Sequence, residues 1–171
     1  MGRSARAQGS DAGCAPRQRE GETLEDVEAL VSRTAAASGF DVRALQSNHE
    51  GVLIDAVHAA RADCAGIVIN PGGLTHTSVS LRDAISGVAL PVAEVHISDV
   101  YAREEFRHYS YIRDIAAVHV VGEGVTGYAR ATDLLIDIIA GHAAENAASS
   151  RSVRASSPPH VPYLRSTVTP R

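Results

Sequence analysis

Two segments in the middle of this 171-residue chain set histidines among carboxylate, amide and hydroxyl side chains: Asn70-Pro-Gly-Gly-Leu-Thr-His-Thr-Ser78 and Glu94-Val-His-Ile-Ser98. Side chains repeat every two residues along a strand, so Glu94 and His96 point the same way. The carboxylate can then accept a hydrogen bond from one ring nitrogen and fix the tautomer of the imidazole, the group best suited to moving protons near neutral pH. Each residue also has a plainer reading when taken alone. His96 could cap a strand end, Glu94 could sit in solvent, and Asn70 could open a turn before Pro71.

The elements that must position these groups are legible on either side of them. Gly66-Ile-Val-Ile69 and Leu90-Pro-Val-Ala93 are apolar runs short enough for strands covered on both faces. Both segments therefore start at the carboxyl ends of strands, where an open α/β sheet builds its site. Upstream, Thr23-Leu-Glu-Asp26 reads as a capping box that opens a helix with Leu24, Val27, Leu30 and Val31 at helical spacing, closed by Gly39. The pattern then predicts a strand from about Phe40 to Leu45, a loop from Gln46 to Gly51, and a helix carrying Leu53, Ile54 and Val57. A helix near Ser78 to Ser86, a short helix between Tyr101 and Ile112, a strand from Ala117 to Val121 and a helix from about Thr126 to about Ala144 complete it. Alternating strands and helices of this length imply a parallel sheet with helices on both faces. Residues 22–145 form the expected domain. Residues 1–21 and 146–171 read as disordered, the latter a basic tail of Ser, Pro, Arg and Ala without periodicity.

Composition narrows the chemistry. The chain contains no lysine, which excludes a Schiff-base mechanism and the common phosphate-binding loop. Its net charge of −4 is divided, with eight arginines against eighteen acids in residues 22–145 and basic ends on either side. An acidic body of this kind argues against a nucleic-acid surface. Cys14 and Cys64 give neither a disulfide framework nor metal spacing, and Cys64 reads as a small buried hydrophobe. No metal, cofactor or membrane span is expected, and the location expected is cytoplasmic.

Together with Gln46-Ser-Asn-His-Glu-Gly51 and Arg103-Glu-Glu-Phe-Arg107, the two central segments resemble the type II 3-dehydroquinate dehydratases of the shikimate pathway. The resemblance runs from about Thr23 to about Glu145. It implies a flavodoxin-like doubly wound sheet in three αβα layers, and removal of water from 3-dehydroquinate through an enolate, without a cofactor. By the same resemblance His96 is the general acid, and Asn70, His76, Asp83, Ile97, Ser98 and Arg107 bind substrate, Asp83 by reaching into a neighbouring subunit. Glu94 supports His96, and Arg103 belongs either to the electrostatic shell or to a surface salt bridge. A homo-oligomer, a dodecamer built of trimers, is implied as well. The chain departs from the family pattern before Thr23, where the first strand, a loop arginine and the catalytic tyrosine are expected. Its five tyrosines are Tyr101, Tyr109, Tyr111, Tyr128 and Tyr163. Three expectations follow: an active dehydratase, an impaired relative that keeps the pocket and the oligomer surfaces, or a gene start read in the wrong frame.

Overall fold

The computed structural model describes residues 22–156, with side chains up to residue 145. The expected N-terminal segment 1–21 and residues 157–171 of the expected tail lie outside the described residues.

Helix α1 (Leu24–Ala37) starts at the expected capping box. The Thr23 hydroxyl accepts from the Asp26 N–H at 3.2 Å, while the Asp26 carboxylate accepts from the Thr23 N–H at 2.8 Å. After Gly39 the chain runs on without forming a strand, which corrects the expectation for Phe40 to Leu45. A strand exists only as one side of a hydrogen-bonded ladder, and no described strand pairs with this stretch. Helix α2 (Glu50–Ala60) follows, then strand β1 (Ile67–Ile69). A 3₁₀ turn over Gly72–His76 leads into helix α3 (Val79–Val88), which Ser78 caps by accepting from the Leu81 N–H at 2.8 Å. Strand β2 (Val92–His96), two short 3₁₀ turns, strand β3 (Val118–Val121) and helix α4 (Thr126–Ser156) complete the order. Helix α4 continues well past the expected end near Ala144, because no proline or glycine cap interrupts it before Pro158.

The three strands are parallel in the order β1-β2-β3. Ile69 lies beside Glu94, Glu94 beside His119, and His96 beside Val121. On one face Val92 packs with Val57 of α2, with Leu81, Ala84, Ile85 and Val88 of α3, and with Ile112. On the other face Ala93, Val95, Val118 and Val120 pack with Ala131 and Leu135 of α4, and α1 lies against α4. This is the expected doubly wound, three-layer αβα arrangement. Gly66 is required where β1 passes beneath α4, since a Cβ there would meet Ile139 Cδ1 at 3.0 Å and the Pro91 carbonyl at 3.1 Å.

Among the described residues the outer edge of β1 has no partner strand. A trough of about 1710 Å³ lies there, with walls that include Val31 and Ala35 of α1, Phe40 and Val42 of the unpaired stretch, Val68 of β1 and Ile139 of α4. Cys64, expected to be a small buried hydrophobe, is instead half-buried in a polar cluster beside this stretch. Its sulfur accepts from Arg43 at 3.4 Å, and Arg43 pairs with Asp63 at 3.0 Å. Among the described residues no helix is long and apolar enough to cross a membrane.

Candidate active site

The last residues of β2 set the site. All five residues of the strand are buried, including Glu94 at 0 % and His96 at 6 % exposure. The solvated-glutamate reading is thereby overturned. A carboxylate in this position needs partners, since an unpaired buried charge would cost several kcal/mol. Ser110 Oγ lies 2.9 Å from Oε1 and 3.1 Å from Oε2, and Thr75, itself fully buried, donates to Oε1. His96 Nε2 stands 3.0 Å from Oε1, and His119 Nδ1 stands 2.9 Å from Oε2. Burial by itself would push the Glu94 carboxyl up, but the contacts from His119, His96, Thr75 and Ser110 outweigh it and hold it well below the usual carboxylate range. An ionised carboxylate can only accept, so Nε2 of His96 carries the proton of that contact. The other ring nitrogen of His96 is then the basic one in the neutral imidazole.

The 3₁₀ turn after Asn70 brings in the second histidine. His76 Nδ1 is 2.6 Å from the Tyr109 carbonyl, and its ring stacks on that of His96 at 6.5 Å between centroids with 13° between planes. The Tyr111 N–H donates to the Thr75 carbonyl at 2.8 Å and ties the segment carrying Ser110 to the same turn. The exit from β2 is held by β3. Gly122, at φ +80°, donates its N–H to the His96 carbonyl at 2.9 Å, and Gly124 donates to the Ile97 carbonyl at 3.0 Å.

Asn70 realises its turn reading. Its carbonyl oxygen accepts from the Gly72 N–H at 3.1 Å, and its amide donates to the Tyr128 hydroxyl at 2.9 Å. One N–H and one lone pair of the amide remain for a ligand. Burial pushes the Tyr128 phenol up despite that bond. Asn70, Ile97, Ser98 and Arg103 line the trough, whereas His76 and His96 are not among its walls. Arg107 pairs with Glu104 at 2.7 Å and lies over the Phe106 ring at 5.0 Å, with Arg103 3.7 Å from the same carboxylate. Arg103 thus makes a surface ion pair and also lines the trough. Asp83 is exposed on α3, and among the described residues no hydrogen bond or ion pair joins it to His96. Among the described residues no group of three or more His, Cys, Asp or Glu side chains is arranged to hold a metal ion.

A family model described as dehydroquinase class II matches residues 15–136. The chain belongs to this family. That span begins and ends earlier than the Thr23 to Glu145 of the sequence resemblance. A 3-dehydroquinate dehydratase of Corynebacterium glutamicum (strain R) is 59 % identical over 118 residues, covering 68 % of this chain and 81 % of that protein. The catabolic 3-dehydroquinase 2 of Aspergillus flavus is 58 % identical over 106 residues, covering 62 % of this chain and 71 % of its own. Among solved structures, the type II dehydroquinase of Butyrivibrio crossotus superposes with a TM-score of 0.64 at 40 % identity, over 67 % of this chain and 80 % of that one. The corresponding enzyme of Propionibacterium acnes gives 0.62 at 34 %, over 66 % and 78 %. The class II dehydroquinase fold thus accounts for the flavodoxin-like layering.

Sequence reasoning misses Thr75, Ser110, His119 and Tyr128. Thr75 lies inside the quoted motif but has no titratable group to draw notice. His119 had one available signal: it interrupts the apolar run Ala116-Ala-Val-His-Val-Val121 on a predicted strand.

Proposed function

We propose that this class II dehydroquinase is a 3-dehydroquinate dehydratase that eliminates water from 3-dehydroquinate to give 3-dehydroshikimate. The observation that carries this reading is the buried Glu94–His96 pair at the carboxyl edge of β2, in which the ionised carboxylate fixes the imidazole. A base takes the proton alpha to the ketone to give an enolate, and His96 donates a proton to the hydroxyl that leaves as water; none of Tyr101, Tyr109, Tyr111, Tyr128 and Tyr163 matches the tyrosine that serves as base in the family pattern. Arg107 suits the substrate carboxylate, since a guanidinium presents paired donors in a plane. Asn70 holds a substrate hydroxyl, His76 makes a further substrate contact, Ile97 and Ser98 hold substrate through backbone N–H and hydroxyl, Arg103 belongs to the electrostatic shell, and Asp83 reaches into the site of a neighbouring subunit. In this reading the protein is a cytoplasmic dodecamer built of trimers, residues 22–145 form its working domain, and it serves the shikimate pathway.

The position of the tyrosines favours a second reading. None precedes Tyr101 in the chain, and Tyr128, in the trough wall, is bonded to Asn70 with its phenol pushed up. A relative that keeps the pocket and the oligomer surfaces without turnover would have this arrangement. Dehydration by the purified 171-residue chain, followed at the absorbance of the enone product, separates the two. Enone formation that falls by about 10²-fold or more in His96→Ala supports the dehydratase. A folded protein that binds 3-dehydroquinate without forming enone supports the binding relative.

A further inference from the structure

Strand β3 carries one histidine among three valines. His119 lies directly beside Glu94 in the parallel register, on the same sheet face, and its side chain is 20 % exposed. Both of its ring nitrogens are buried without an aligned hydrogen-bond partner among the described residues. Such a group is costly to bury if nothing compensates it. What stands near it is Oε2 of Glu94, 2.9 Å from Nδ1, a carboxylate oxygen that can accept only from a ring nitrogen bearing its proton. The ring also meets that of His96 edge-on, with 6.1 Å between centroids and 66° between planes.

The consequence lies in how the Glu94 oxygens are divided. Thr75 and His96 engage Oε1, Ser110 spans both oxygens, and His119 engages Oε2. Without His119, Oε2 would keep only the 3.1 Å contact from Ser110, and the carboxylate could turn about its last torsion, a soft sp³–sp² bond, loosening its hold on the His96 ring. We propose that His119 is a positioning residue, which clamps the second oxygen of Glu94 and through it fixes the tautomer and orientation of His96. This rests on the reading of His96 as the general acid. Partners one step removed from a reacting group commonly matter by 10- to 100-fold.

Two variants separate positioning from space-filling. His119→Asn keeps an N–H close to the place of Nδ1, whereas His119→Leu keeps bulk and removes the donor. The full chain of each, labelled with ¹⁵N in histidine, is compared with the parent by imidazole ¹⁵N shifts and by steady-state dehydration. The proposal expects a single Nε2–H tautomer for His96 in the parent and in His119→Asn, with shifts moving toward a mixture of tautomers in His119→Leu. It expects kcat to fall about tenfold in His119→Leu, with KM within about twofold and the rate largely restored in His119→Asn. Unchanged His96 shifts in both variants overturn the proposal, as do equal losses in the two. Should the parent itself form no enone, the dehydratase reading fails while the nitrogen shifts still decide the role of His119.

Discussion

Glu94 is the residue on which the site turns, because it is fully buried, ionised and shared between two imidazoles and two hydroxyls. Its carboxyl is held below the ordinary glutamate value of 4.5, so the folded state binds fewer protons than the unfolded state on the acid side. The stability it contributes is fully present above that ordinary value and is lost as pH falls from there towards the lower folded one. Urea unfolding of the parent chain should therefore show stability declining below about pH 4.5, and Glu94→Gln should flatten that decline. At neutral pH the same variant should be less stable by about 2 kcal/mol, the scale of a hydrogen bond to a charged partner. A parent and variant with the same acid profile would mean that the fold does not hold the Glu94 carboxyl below its ordinary value.

At the scale of elements, β1 is the joint between a well-packed half of the molecule and the trough. It has three residues, pairs on one side with β2, and is covered by α4 on one face. Close approach under α4 makes Gly66→Ala an overpacking change, against Leu135 and Ile139 side chains at 3.2 and 3.0 Å and a backbone carbonyl that cannot easily retreat. We expect a loss of roughly 1–3 kcal/mol, read as a lower urea midpoint with an unchanged slope. The stretch 40–45 shows the reverse situation. Phe40 and Val42 are apolar enough for a strand and line the trough, but propensity supplies no hydrogen-bond partner. Secondary structure in a sheet is a property of pairs, and one member alone does not reveal whether the pair is complete.

At the scale of the whole molecule, the proposed dodecamer makes the simplest prediction. Light scattering of the purified protein should give a mass near twelve times the 17.9 kDa chain. A monomer mass would remove the role proposed for Asp83, which is exposed on α3 and depends on a second copy to meet a site. The acidic body and basic ends bear on solubility and association rather than on fold.

Much of this was determined by local sequence. The capping box at Thr23, the helices α2 and α3, the strands before Asn70 and after Leu90, and the shared side of Glu94 and His96 all follow from periodicity, caps and alternation, which act within a few residues. Family membership was legible too, because its motifs are contiguous. Tertiary structure alone decided how the polar groups are partnered. Thr75 and Ser110 meet Glu94 across 19 and 16 residues of chain, Asn70 meets Tyr128 across 58, and His119 arrives through the register of a neighbouring strand. Buried polar groups are satisfied by whatever the fold brings within about 3 Å of them. That neighbourhood is set by strand order and register, which no local pattern encodes.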